Sequence, residues 1–299
     1  MKFLVTGSAG LVGNQVVKDL EEKGDTVYST HHNTKPEFGI PTLMDLEQPD
    51  KIENIVEKIK PDSIIHLAAM TNVDECEKEK DLAMKINAKA TETLSKQAAK
   101  QKSFFVYVST DYVFDGEKGM KKESDQPNPI GFYGKSKLEG EKSVMNSAAS
   151  WCIARTSTPY GFHQKKKSFP LWVTENLQNK NKINVIVDQF TSPTYVPNLS
   201  KMLIEIASRQ IVGILHVAGA TRISRYEMAE LVADKLNLDK KLLNPINTEQ
   251  MNWIAKRPKD SSLDVSLASE ILNEKPFNIE QGLENFVRGI KPQLGKCFS

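Results

Sequence analysis

The feature that most constrains the fold is a run of glycines, Gly7-Ser8-Ala9-Gly10-Leu11-Val12-Gly13, set between two different hydrophobic patterns. Before it, Lys2 to Thr6 is short, apolar and strand-like; after it, Leu11, Val12, Val16, Val17 and Leu20 recur with helical spacing over Gly10 to Lys23. Thr26 to Thr30 then reads as a second strand, which makes the segment a βαβ unit. Glycine in the first strand-to-helix turn permits positive φ, lets backbone amides approach a pyrophosphate and lets the helix pack close to the strand. The free N–H groups and positive dipole end of that helix then face the phosphates. The G-x-x-G-x-x-G spacing in this context predicts a dinucleotide site on Gly7, Gly10, Leu11, Val12 and Gly13.

The alternation continues. A helix near Lys51 to Lys60, a strand from Ser63 to Leu67, a helix over Asp81 to Lys100 and a strand from Phe104 to Ser109 follow one another. After a Gly-, Asp- and Pro-rich loop from Asp115 to Pro129 come a helix from Gly131 to Asn146 and a strand from Trp151 to Thr156. Such an order predicts an α/β, Rossmann-type doubly wound parallel sheet. Beyond it, Thr158 to Ser168, Asp188 to Pro197 and Asn244 to Asp264 are long connections separated by helices near Asn198 to Ser208, Ser224 to Leu236 and Ile279 to Arg288. Long loops in a compact α/β chain tend to carry function. The expected division is a dinucleotide-binding domain over 1–157, rejoined in part by 188–222, and a smaller, mainly substrate-binding C-terminal lobe over 158–299.

Charge excludes some partners. A net charge of +2 on 299 residues gives no electrostatic reason to expect nucleic acid or an anionic membrane surface. The basic runs Gln164-Lys165-Lys166-Lys167 and Lys240-Lys241 read as solvated edges. No stretch of roughly 18 uncharged apolar residues is present, and Phe3 to Thr6 is too short for a signal-peptide core, so no membrane span or leader is expected. Cys76, Cys152 and Cys297 are widely spaced and odd in number, which argues against a disulfide framework or a structural metal and fits a reducing cytoplasm.

The second strand ends in Tyr28-Ser29-Thr30-His31-His32-Asn33, without the carboxylate that would bind an adenosine 2′-hydroxyl. NADP(H) is therefore favoured and NAD(H) remains open, with His31 or His32 available to a 2′-phosphate and Asp45 to the adenine amino group. Tyr133 and Lys137 stand four positions apart, on one helix face. A phenol with a pKa of about 10 needs a neighbouring cation to exchange protons near neutrality, and Lys137 can supply one. A third member is expected at the C-terminal end of the strand before that helix, counted here as the fourth, where doubly wound sheets collect ligands. Thr110 stands there and can donate a hydrogen bond to a substrate carbonyl.

Three strings make the reading narrower: Ser109-Thr110-Asp111-Tyr112-Val113-Phe114-Asp115-Gly116, Tyr133-Gly134-Lys135-Ser136-Lys137-Leu138-Glu139-Gly140-Glu141, and Asp188 to Thr194. With His66-Leu67-Ala68-Ala69, Thr71, Val73-Asp74, Arg257-Pro258 and Ser262-Leu263-Asp264, they make nearly the whole chain resemble the extended short-chain dehydrogenases, and more closely the dTDP-4-dehydrorhamnose reductase family. That resemblance implies reduction of the C4 keto group of a nucleotide sugar. Thr110 and Tyr133 would hold the keto oxygen, Tyr133 would give the proton, and Lys137 would orient the nicotinamide ribose. Asp45 and Leu46 would lie near adenine, Ala68, Ala69 and Thr71 beside the nicotinamide half, and Asp111 and Tyr112 facing the sugar. Some members hold a dimer-bridging magnesium ion partly through a glutamate where this chain has Gln15, so no metal is expected, and the same members set a tryptophan against the sugar where this chain has Thr158. A homodimer is compatible with such a fold. Two other readings share the same tyrosine and lysine: a non-catalytic NADP-binding subunit similar to the β subunit of methionine adenosyltransferase, and a sugar-nucleotide epimerase or dehydratase.

Overall fold

The computed structural model describes residues 1–163 and 167–294 of the chain. Gln164 to Lys166 of the first basic run, and Cys297, lie outside them. The strands are β1 (Lys2–Thr6), β2 (Thr26–His31), β3 (Ile40–Leu43), β4 (Ser63–His66), β5 (Phe104–Thr110), β6 (Trp151–Thr156), β7 (Pro159–Tyr160), β8 (Ile183–Ile186), β9 (Phe190–Thr191), β10 (Thr194–Tyr195), β11 (Gly213–His216), β12 (Ile223–Ser224) and β13 (Leu243–Ile246). The helices are α1 (Leu11–Glu22), α2 (Pro49–Ile59), α3 (Val73–Lys78), α4 (Lys80–Met84), α5 (Ala90–Gln101), α6 (Phe132–Ser147), α7 (Phe169–Gln178), α8 (Val196–Arg209), α9 (Arg225–Leu236), α10 (Ser266–Ile271) and α11 (Ile279–Leu294).

Seven strands form one parallel sheet in the order β11-β6-β5-β4-β1-β2-β3. The order reverses between β1 and β4, so the loops after these two strands diverge and leave a crevice at their C-terminal ends. Because side chains alternate along a strand, Phe3 and Val5 of β1 face one side while Leu4 faces the other. The first side is covered by Val16, Val17 and Leu20 of α1 and by Leu199, Met202 and Leu203 of α8. The second is covered by Ile52 and Val56 of α2, Leu94 and Ala98 of α5, and Val144 of α6. A separate core joins α7, α9 and α11 to β8, through Val173, Leu177, Val185, Met228, Val232 and Leu283.

Two expectations need correction. The strand ending at Thr110 is the fifth in the chain, because Ile40–Leu43 adds an edge strand beside β2. Its residues are largely exposed and include Pro41, which only an edge position tolerates. The single helix expected over Asp81 to Lys100 is interrupted by a π turn at Lys85–Lys89.

The helix that carries Tyr133 and Lys137 is tied to the sheet by a buried ion pair. Glu141, one turn beyond Lys137, accepts from Arg155 of β6 at 2.9 and 2.7 Å and from the Ser109 hydroxyl of β5 at 2.6 Å. A buried pair contributes little net stability, but breaking it strands a charge, so it fixes the position of α6 on the sheet. Cys76 and Cys152 are free and buried. Among the described residues no helix is long and apolar enough to cross a membrane, and no three His, Cys, Asp or Glu gather as metal ligands.

Candidate active site

The crevice opens into a cavity of about 850 Å³ running from the end of β2 past the glycine turn to the start of α6. The expected residues Gly7, Gly10, Leu11, Val12, Gly13, His31, Asp45, Leu46, Ala68, Ala69, Thr71, Thr110, Asp111, Tyr112, Tyr133 and Lys137 all line it. His32 does so as well, from an exposed position.

The glycines are demanded by contact. Gly7 has φ +68°, and a Cβ there would lie 2.8 Å from the Ala68 amide nitrogen, where the loops after β1 and β4 cross. A Cβ on Gly13 would collide with the Gly7 carbonyl oxygen and approach the Ser8 Cα to 2.8 Å. Gly10 is the N-cap of α1 and supplies no capping side chain, so the first amides of the helix open onto the cavity. Ser8 fastens the turn to β2 through a 2.7 Å bond to the Thr30 carbonyl. Gly13→Ala is expected to cost about 1–3 kcal/mol by overpacking. A thermal melt and NADPH titration should show a lower melting temperature and roughly tenfold or more weaker binding; unchanged affinity would refute the role given to the turn.

At the adenosine end, the buried Nδ1 of His31 has no hydrogen-bond partner among the described residues. Asp45 accepts from the Glu47 amide and from the Gln48 side chain, and these bonds, the first above all, hold its carboxyl below the usual range.

The loop after β4 is held by a chain of neutral hydrogen bonds. Thr6 Oγ1 accepts from the Leu67 and Ala68 amides at 3.1 Å each, which leaves its own proton for His66 Nδ1 at 2.6 Å. His66 Nε2–H then donates to Thr91, 3.0 Å away, and Thr91 to the Asn87 carbonyl. Burial, assisted by the charge of Lys137, pushes His66 down to about 3 and keeps it neutral for this tautomer. Asn87, in the π turn, accepts from the Met70 amide and donates to the Met70 carbonyl and the Ser136 hydroxyl, joining this loop to α6. A π turn at a site is a recurrent device, but nothing in the spacing of Lys85 to Lys89 announces it.

Tyr133 and Lys137 project from the first turns of α6 towards the end of β5. Burial holds the Tyr133 phenol well above its ordinary value, opposed by a hydrogen bond with Thr110 and reinforced by the charge of Asp111. Burial likewise pushes Lys137 down to about 7, against the attraction of Glu141. Its Nζ donates to the Val108 carbonyl at 2.9 Å and lies 4.0 Å over the Tyr107 ring. Asp111, by contrast, turns its carboxylate into the protein, where Thr110, Ser157 and Ser261 donate to it at 3.0, 2.7 and 2.6 Å. These bonds join the end of β5 to the C-terminal lobe. Tyr112 packs edge-on to Tyr133 with ring centroids 5.8 Å apart. Thr158 lines the cavity at φ +40°, a rare conformation for a β-branched residue.

A polarisable oxygen placed beside Tyr133 would meet a phenol that remains protonated, and the Thr110 hydroxyl once that turns from Asp111, near a helix terminus open to an anion in the same cavity. That arrangement suits proton donation to a carbonyl coupled to a dinucleotide.

The model of the RmlD substrate binding domain matches residues 1–291. A dTDP-4-dehydrorhamnose reductase of Aggregatibacter actinomycetemcomitans is 32% identical over 296 residues, covering 95% of this chain and 97% of the relative. Methionine adenosyltransferase 2 subunit beta of Xenopus tropicalis is 33% identical over 278 residues, covering 90% of this chain and 82% of the relative. Among solved structures, the dTDP-4-dehydrorhamnose reductase of Bacillus anthracis in complex with NADP superposes with a TM-score of 0.87 at 31% identity, covering 97% of this chain and all (100%) of that one.

Proposed function

The chain belongs to the RmlD substrate binding domain family, and from that premise we propose that it is an NADP(H)-dependent reductase of a 4-keto sugar nucleotide, dTDP-4-dehydrorhamnose being the substrate and dTDP-L-rhamnose the product. The observation that carries this is the meeting of Thr110, Tyr133 and Lys137 in the same cavity as an uncapped, glycine-packed helix N-terminus. The sugar is bound mainly by residues of the lobe from 158 to 299, and the enzyme works in the cytoplasm.

The cavity fits the cofactor on its own terms. The amides at the start of α1 suit a pyrophosphate, the absence of a carboxylate at the end of β2 with the unpartnered His31 Nδ1 suits a 2′-phosphate, and the 68–71 loop suits the nicotinamide half. NADPH bound there supplies the hydride. Thr110, its hydroxyl turned from Asp111 to the substrate, and Tyr133 hold the keto oxygen, and the Tyr133 hydroxyl gives up its proton as charge builds on that oxygen. Lys137, above the Tyr107 ring, holds the nicotinamide ribose and, when protonated, stabilises the phenolate left behind.

The likeness to methionine adenosyltransferase 2 subunit beta supports one other reading, a non-catalytic NADP-binding subunit. Turnover separates the two. Oxidation of NADPH with dTDP-4-dehydrorhamnose, followed at 340 nm with identification of the product, is expected to yield dTDP-rhamnose and to run faster with NADPH than with NADH. Tight NADPH binding without oxidation would replace the reductase by the binding subunit.

A further inference from the structure

Arg225, the first residue of α9, reaches the same cavity from the C-terminal lobe. Proton donation at Tyr133 does not use it, so its placement needs another cause. The other partly or fully buried arginines each face a carboxylate: Arg155 faces Glu141, and Arg257 faces Asp74. The more exposed Arg209 and Arg222 do the same with Glu205 and Asp260. Arg225 is partly buried and, among the described residues, has no carboxylate partner.

It is nevertheless held. Its Nε donates to Gln189 Oε1 at 3.0 Å, and its guanidinium lies 5.4 Å from the Phe169 ring centroid. Gln189 is itself buried, bonded to the Pro258 carbonyl at 3.4 Å and hydrogen-bonded to Tyr112. A neutral amide and an aromatic ring therefore orient the guanidinium through one nitrogen and leave its two terminal nitrogens as a preset fork. Such a fork matches two oxygens of a phosphate group, which an ammonium cannot do as well.

The geometry points to Arg225 as the cation that binds the diphosphate of the sugar nucleotide, a subsite resting on the proposed substrate class. The two anionic groups then lie apart. The cofactor's pyrophosphate has the open N-terminus of α1. The substrate's diphosphate begins one sugar ring away from a carbonyl held at Tyr133, and Arg225 is joined through Gln189 to Tyr112, whose ring abuts that of Tyr133. The carboxylates that line the cavity, Asp45, Glu47, Glu75 and Asp111, offer such a group no attraction.

The test is calorimetric titration of the NADPH-saturated full chain with dTDP, UDP and GDP, and with dTMP and thymidine, in the wild type, R225M and R225K. The wild type should bind at least one nucleoside diphosphate more tightly than the matching monophosphate. R225M, of similar length but uncharged, should lose about tenfold to a hundredfold in diphosphate affinity with NADPH affinity and melting temperature unchanged, while R225K recovers part of the loss. In turnover the loss should appear in KM at nearly constant kcat. Diphosphate affinity in R225M within about twofold of wild type, equal loss of NADPH binding, or no diphosphate bound by the wild type would each overturn the assignment. Diphosphate binding that depends on Arg225 in a protein without turnover would instead retain this subsite and reject the reductase reading.

Discussion

Tyr133→Phe is expected to lower the rate of NADPH oxidation by about 10²–10⁴-fold while leaving NADPH affinity and thermal stability nearly unchanged. Only the hydroxyl is removed, and with it the hydrogen bond to Thr110 and the proton destined for the substrate oxygen. The ring stays, and with it the edge-on packing against Tyr112 that seats α6 beside the end of β5. Because burial holds the phenol above its ordinary value, it is a donor over the whole working pH range, and its own ionisation should not shape the activity profile below neutrality. Single-turnover oxidation with saturating substrate isolates the chemical step. A variant within about tenfold of the wild-type rate would remove Tyr133 from the proton transfer.

Lys137→Met should do two things that pull apart: it should abolish most turnover and make the ligand-free protein more stable. The ammonium is buried, and burial lowers it from 10.5 to about 7. Between those values the unfolded chain holds a proton that the folded one has lost, so unfolding free energy rises with pH across that window. The cost of burying the charge is thus fully present below about 7 and disappears as pH passes 10.5. Methionine keeps the length of the side chain and none of the charge, although it gives up the bond to the Val108 carbonyl. At pH 7 its melting temperature is expected to exceed the wild type's by at least about 2 °C, and the gap should close towards pH 10. A variant that melts lower at pH 7, or a gap that does not change with pH, would show that Lys137 carries no such penalty. The same ionisation should appear as a step near pH 7 in the wild type's kcat/KM, which reports the free enzyme.

The parts that sequence made legible are those whose cause is local. A glycine turn is written in residues that must lie within one strand-to-helix connection, and Tyr133 and Lys137 share a face because a helix brings positions four apart together. The edge strand Ile40–Leu43 escaped because it is short, largely exposed and contains a proline, so it carries neither an apolar run nor clean alternation. Asp111 shows the opposite limit. Its position was legible from the string around it, but its orientation depends on Ser157 and Ser261, which stand 46 and 150 residues away in the chain. Arg225 was likewise invisible as a cavity residue, since only the return of the lobe brings the start of α9 to Gln189 and Phe169. The π turn at Lys85–Lys89 has no propensity signature, and the partners of Asn87 define it more than its neighbours do.

The sheet closes late. Six of its strands are complete by Thr156, but β11, which covers the outer edge of β6, does not begin until Gly213, and α8, which covers Phe3 and Val5 together with α1, ends at Arg209. On the ribosome, the nascent chain therefore carries an open β6 edge and a half-bare apolar face for more than fifty residues of synthesis. Unpaired edges and bare faces are where partly made α/β chains aggregate. The connection between β6 and β11 also carries α7 and β8 of the second core, so the closing of the sheet and part of that core emerge in the same stretch of synthesis.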